Sequence, residues 1–235
     1  MSGVLFGLGL GPGDPDLVTI KAATIMREIP VIAYVTPVRS GKPCTSFARS
    51  IAEPYLIGEK EEITIAIEML DDPTRGRQVY DEVSDKISYY LDSGRNVAVL
   101  CEGDPLLYGS FMYILDRIKD SYKVLTVPGV SSLSAAAAAA NLPLVTRHQT
   151  ISLIPATLSE SKIRTCLLKG DSIAILKLGK NIVKIKKILS DLGRSYDAVY
   201  VERASMMNQK ILSLSDAPDN APYFSIILLT CAETE

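Results

Sequence analysis

The sequence predicts an α/β fold built as two lobes. Strand-like apolar runs alternate with helical patterns along the whole chain, the signature of α/β architecture. The first 140 residues also repeat one unit: a strand, a tight Gly/Pro turn, a helix. Residues 4–10 run into Gly11-Pro12-Gly13-Asp14-Pro15, residues 96–101 into Glu102-Gly103-Asp104-Pro105, and residues 123–127 into Pro128-Gly129-Val130-Ser131-Ser132. Such turns sit at the carboxyl ends of strands, where open α/β sheets hold their ligands. The glycine turns stop soon after the third, which divides the chain into an N-terminal lobe, 1–122, and a C-terminal lobe, 123–235.

Residues 3–10 read as a buried strand. Asp14 is a good helix N-cap, and Pro15 suits the first helical position, where the missing N–H costs nothing. The helix over 16–28 places Leu17, Ile20, Ala23 or Thr24, and Ile25 on one face, and Pro30 ends it. A strand over 31–35 follows, then a loop over 36–46, rich in Pro, Gly, Ser and charge. A helix starts over 47–52, and 62–67 is strand-like. Asp72-Pro73 opens a long amphipathic helix that Gly94 closes. A strand over 96–101, a helix from Pro105 to about Lys119 and a strand over 123–127 complete this half. The second half reads as helix 131–141, strand 151–154, helix 159–168, strand 172–178, helix 182–192, and strands 198–202, 210–213 and 223–230.

Composition narrows the function. With 25 basic and 27 acidic residues the net charge is -2, so nothing electrostatic points to nucleic acid or a membrane surface as partner. No apolar run approaches a bilayer span, and no basic stretch precedes an apolar one at the N-terminus, so the expected location is the cytoplasm. Cys44, Cys101, Cys166 and Cys231 read as free, mostly buried thiols of a reducing compartment. With His148 as the sole histidine and no CxxC, no metal site is expected. No GxSxG accompanies His148, which argues against a Ser-His-Asp hydrolase.

The first glycine turn is not a dinucleotide fingerprint. In Gly7-Leu8-Gly9-Leu10-Gly11-Pro12 the sixth position is Pro12, and no acidic residue ends the second strand, so a Rossmann NAD site is not expected. The glycines do suit a turn that leaves space for a flat ligand. Asp104 either caps the helix after it or, with Glu102 and the turn's backbone, holds a polar ligand head. Ser131 and Ser132 stand at the N-terminus of a helix with six consecutive alanines, Ala135 to Ala140.

Gly-Leu-Gly-Leu-Gly-Pro-Gly-Asp-Pro at residues 7–15, Glu-Gly-Asp-Pro at 102–105, Val-Pro-Gly-Val-Ser-Ser at 127–132 and Glu202-Arg203-Ala204 together resemble the tetrapyrrole (corrin/porphyrin) methylases. The resemblance covers essentially the whole chain. It implies two α/β lobes with a cofactor cleft between them, a homodimer, and S-adenosylmethionine as methyl donor, leaving as S-adenosylhomocysteine. It implies cofactor contacts from Pro12, Glu102, Gly103, Asp104, Leu107, Ser131, Ser132, Leu178 and Ala204. Residues 101–113, 175–180 and 200–204 look most like the members that methylate carbon 20 of precorrin-2 in corrin ring synthesis; action on the cobalt-bearing substrate or at another ring carbon is the alternative.

That reaction needs alignment more than a catalytic side chain, because the reduced tetrapyrrole is enamine-like and already nucleophilic. A proton must leave carbon 20 afterwards, with Glu102, Tyr108 or water as acceptor. The substrate is rich in carboxylates, for which Arg39, Lys42, Arg147 and Lys177 are the candidate cations on predicted loops and strand ends. Lys184, Lys186 and Lys187 read instead as a solvated helix face. Tyr108 and Tyr113 either flank the planar ligand or pack into the core.

Overall fold

The computed structural model describes residues 2–39, 41–68 and 73–230. Two compact units emerge, Met1–Ser131 and Ser132–Glu235. The sequence reading puts the division at 122/123. The structure moves it because the strand after it hydrogen-bonds into the first unit's sheet, pairing Leu5 with Val124 and Leu8 with Val127.

The first sheet contains β1 (Leu5–Gly9), β2 (Val31–Arg39), β3 (Lys42–Pro43), β4 (Glu61–Glu68), β5 (Val97–Cys101) and β6 (Val124–Val127). Strands β4, β2, β5, β1 and β6 are parallel neighbours in that order, and β3 lies antiparallel on the end of β2. Helices α1 (Ile20–Glu28) and α2 (Phe47–Ala52) cover one face through Ala22, Met26, Ala48 and Ile51. Helices α3 (Pro73–Asp92) and α4 (Phe111–Ile118) cover the other through Val83, Ile87, Phe111 and Ile114. With both faces covered, every residue of β5 is buried, as a central parallel strand requires. The chain leaves β1 toward β2 under α1 and leaves β5 toward β6 under α4. These crossovers run in opposite directions on opposite faces, which places the topological switch point at the adjacent carboxyl ends of β1 and β5.

The second unit holds α5 (Ser132–Ala140), β7 (Ile151–Pro155), α6 (Glu160–Leu167), β8 (Ser172–Leu176), α7 (Ile182–Asp191), β9 (Ala198–Glu202), β10 (Lys210–Ser213) and β11 (Ser225–Leu229). Its sheet runs β10-β9-β11-β8-β7, with only β7 and β8 parallel. Alternate residues of β11 serve two cores. Ile227 and Leu229 meet α6 and α7, while Ile226 and Leu228 meet the alanines of α5. Each such side chain fully withdrawn from water contributes about 1.5–3 kcal/mol. Asn141, at φ 52, ends α5 in a left-handed cap, with the Leu142 N–H donating to Ala137 O at 3.0 Å.

Three elements differ from the sequence expectation. The helix expected over 16–28 is split: Asp14 caps only a 3-10 turn, Pro15–Leu17, and Thr19 then caps α1 afresh. The restart shifts the buried face to Ala22, Ala23 and Met26 and leaves Ile20 87% exposed. The loop expected over 36–46 is instead the end of β2 and a short hairpin. β4 pairs with β2 as far as Val38, while β5 leaves it after Tyr34, so Pro37 occupies a stretch that tolerates a missing donor. The helix expected from Pro105 begins only at Phe111, because Tyr108 takes φ 58 and the 104–110 segment turns back on itself. Asp72 of the expected long helix lies outside the described residues.

An added Cβ at Gly129 would sit 2.1 Å from the Gly103 carbonyl oxygen, with no flexible side chain to yield. Gly129→Ala is therefore expected to destabilise the fold by about 3 kcal/mol. In contrast, Gly76 lies in α3 with nothing within 4 Å of such a Cβ, and Gly76→Ala is expected to stabilise by about 0.5–1 kcal/mol. Urea unfolding of the two variants checks both signs.

Candidate functional site

The three glycine turns meet at the carboxyl ends of β1, β5 and β6. Gly11 and Gly103 form an isolated antiparallel bridge, with the Gly103 N–H donating to Gly11 O at 2.7 Å and the Gly11 N–H returning to Gly103 O at 3.3 Å. Asp104 ties in the third turn: one carboxylate oxygen accepts the Leu106 N–H at 2.9 Å and the other accepts the Gly129 N–H at 3.1 Å. The carboxylate therefore braces a turn and joins two loops; it does not cap a helix.

The glycines of the first turn do different work from that expected. A Cβ at Gly7 would lie 2.4 Å from the Phe111 ring, and one at Gly9 would lie 2.4 Å from the Gly129 nitrogen. Protein, not ligand, fills those spaces. Gly103 is the opening: φ is +65 and a Cβ there meets nothing within 4 Å. A ligand can thus approach the backbone at Gly103. Exposed Leu106, Leu107 (40%) and Tyr108 (44%) offer apolar surface on the same loop, while Pro12 is buried.

Glu102 stands half-buried at the end of β5, in a small pocket it shares with Val35, Ile65, Ser110 and Phe111. Burial pushes its carboxyl above the ordinary range, and its own backbone N–H and that of Ala48, in the first turn of α2, only partly offset this. Cys101 is fully enclosed beside it, and burial together with the neighbouring Glu102 and Asp104 charges holds its thiol protonated and inert. Cys44 and Cys166 are free but only half-buried, and Cys231 lies outside the described residues.

The other predicted site residues fall on several elements of the two units. Ser131 ends the first unit and Ser132 begins α5, where it is exposed. Leu178 is 0% exposed within the second unit's core, so it can offer a ligand only its backbone. Ala204 is buried between Arg203 and Ser205, both in the left-handed region at φ 52 and 70. Lys177 is exposed at the end of β8 with φ 56, and Arg147 is exposed with φ 40. Lys42 is exposed in β3; Arg39 ends β2 by its backbone, and its side chain lies outside the described residues. Tyr113 stacks on Tyr80 of α3 at 4.8 Å. Two lysines expected on a solvated face are tethers: Lys184 donates to Leu158 O at 2.7 Å and Lys186 to Asp219 at 2.8 Å.

Sequence reasoning missed one buried polar group. Glu202 is 4% exposed, accepts the Tyr200 hydroxyl at 3.0 Å and pairs with Arg203. Burial, then the Glu202 carboxylate, drives the Tyr200 phenol well above its usual range. The available signal was spacing: residues two apart on a strand share a face.

The model of the tetrapyrrole (corrin/porphyrin) methylases matches residues 4–217. The chain is 36% identical to a protein of a Sinorhizobium species named precorrin-2 C(20)-methyltransferase, covering 97% of both. It is 31% identical to the cobalt-precorrin-2 C(20)-methyltransferase of Salmonella typhimurium, again over 97% of both. A Mycobacterium tuberculosis relative, cobalamin biosynthesis protein CobIJ, is 41% identical over 97% of this chain, which spans only 46% of that protein. Among solved structures, a Thermus thermophilus uroporphyrin-III C-methyl transferase in complex with S-adenosyl homocysteine matches at TM-score 0.68 and 23% identity, covering 97% of this chain and 92% of that one. That likeness establishes the fold.

Because the folded-state Glu102 carboxyl lies above its unfolded value, its contribution to stability is present at low pH and is lost as pH rises through the folded value. Glu102→Gln removes the desolvated charge and keeps an acceptor for Ala48. The variant is expected to melt above wild type at about pH 8, by about 2–4 °C for each kcal/mol gained, with the difference closing by about pH 4. Calorimetric scans at the two pH values measure it.

Proposed function

The chain belongs to the tetrapyrrole (corrin/porphyrin) methylases, and from this we propose that it transfers a methyl group from S-adenosylmethionine to carbon 20 of precorrin-2, giving precorrin-3A. The observation that carries the reading is the bridged Gly11–Gly103 turn pair, locked to Gly129 through Asp104 and open to a ligand at Gly103. The full-length relative named for that ring position supports the choice of carbon. The relative named for the cobalt-bearing substrate, at 31% identity, supports that form as the second reading.

The residues present fit the cofactor. Gly103 gives backbone access, Asp104 fixes the turn, and Leu107 supplies apolar surface for a thioether and a flat base. When bound, S-adenosylmethionine supplies an electrophilic methyl on a sulfonium. The chain's task is to hold two reactants in line, an orientation effect that needs no protein nucleophile. Lys42 in the first unit, and Arg147 and Lys177 in the second, are exposed cations suited to ring carboxylates. The family likeness and the net charge of -2 support a cytoplasmic homodimer acting without nucleic acid or membrane. Among the described residues no helix is long and apolar enough to cross a membrane.

Isothermal titration is expected to detect S-adenosylhomocysteine binding and no NADPH binding. Asp104→Ala, which releases the Leu106 and Gly129 amides, is expected to weaken S-adenosylhomocysteine by about tenfold, or about 1.4 kcal/mol. Wild-type affinity in that variant would remove these turns from the cofactor site. Incubation with methyl donor and each substrate form, followed by mass spectrometry, separates precorrin-2 from its cobalt complex.

A further inference from the structure

We propose that Glu102 is the base that takes the proton from the methylated ring carbon; the inference rests on the reaction proposed above. Three features single it out. It ends β5 immediately before the open Gly103 and helps line a small pocket with residues that include Val35, Ile65, Ser110 and Phe111, while its carboxyl meets the Ala48 N–H at the start of α2. Among the described residues no cation pairs with it, so its charge is not committed to a structural ion pair. Arg49, the nearest cation in sequence to Ala48 on α2, is held by Glu53 and Glu62. The Ala48 amide offsets only part of its burial, and a desolvated charge without a counter-cation costs stability.

The groups around it leave its titration its own. The Ala48 N–H of α2 meets its carboxyl, and the residues lining the adjacent pocket from β2, β4 and α4, Val35, Ile65, Phe111 and Ile114, carry no charge. Cys101 on its own strand stays a thiol, and Asp104 two residues on is bound to two backbone amides. Desolvation brings the carboxyl nearer to neutral pH, where a general base is most effective. Tyr108, the other candidate, is 44% exposed on the loop after Gly103.

The chemistry balances without another reactant. As the carbon–methyl bond forms, the sulfur–methyl bond breaks and its electron pair stays on sulfur, leaving a neutral thioether. The methylated carbon still carries its hydrogen and the ring carries the positive charge. Glu102 accepts that hydrogen as a proton, the C–H electron pair returns to the ring π system, and the carboxylic acid later gives the proton to water.

The test needs a readout apart from methyl transfer. With precorrin-2 in D2O and no methyl donor, wild type is expected to speed deuterium entry at carbon 20, read by mass spectrometry, and Glu102→Gln to lose at least about tenfold of that acceleration. With the donor present, Glu102→Gln is expected to lower kcat by about a hundredfold or more while S-adenosylhomocysteine affinity stays within about twofold. Glu102→Asp should recover part of the rate. The acid limb of the wild-type kcat–pH profile, falling as pH drops through the raised Glu102 value, should vanish in the glutamine variant. An active wild type whose Glu102→Gln variant retains exchange and kcat overturns the base assignment alone. Parallel loss of affinity and kcat also overturns it, in favour of a cofactor-holding role. A wild type that binds S-adenosylhomocysteine but neither exchanges nor methylates either substrate form overturns the ring-carbon reading together with it.

Discussion

The first unit depends on backbones touching where no side chain fits. Gly129 lies against the Gly103 carbonyl, and Gly9 against the Gly129 nitrogen, at distances that any Cβ would violate. Because three loops are pinned at one point, the ends of β1, β5 and β6 cannot drift independently. A site assembled on that point inherits the rigidity of the parallel sheet below it. Asp104 adds direction to the contact, since each of its oxygens is assigned to a different loop amide. The constraint also explains the local departures from ideal structure. The chain between β5 and α4 turns through a left-handed Tyr108 because a helix starting at Pro105 would carry Asp104 and Gly103 away from their partners.

Stability and chemistry are opposed at Glu102. The first unit buries apolar surface on both faces of its sheet, yet leaves one carboxylate half-enclosed at the strand ends without a cation. The second unit treats a buried acid differently. Glu202 is almost wholly enclosed but is matched by the Tyr200 hydroxyl and the Arg203 guanidinium, so its cost is offset where it arises. One carboxylate is satisfied and holds the turn after β9 in place; the other is left available. That contrast makes Glu102, rather than Glu202, the group suited to proton transfer.

Most strands and helices were legible because their signals are local. α2, β9 and β10 run where apolar pattern and turn residues put them, and Gly94 ends α3 with the Arg95 N–H returning to Tyr90 O. The failures share a cause. Pro37 reads as a strand breaker, but which neighbour flanks it decides whether its missing donor matters, and only the β4–β2 register settles that. Asp104 reads as a helix cap because the residues after it are good helix formers. Its real partner, Gly129, is remote in sequence. Lys184 and Lys186 read as solvated, yet they reach carbonyls and a carboxylate on other loops.

The sequence by itself determined the α/β class and the three turns that matter, since periodicity, glycine spacing and motif order are properties of the linear chain. It also determined the family, through those motifs. Tertiary structure alone decided what each glycine is for. Gly7 admits the Phe111 ring, Gly9 and Gly129 admit each other, and Gly103 faces open space. The same residue type in the same kind of turn thus serves packing in one place and access in another. The difference lies in which atoms stand opposite the absent Cβ, and those atoms come from distant parts of the chain.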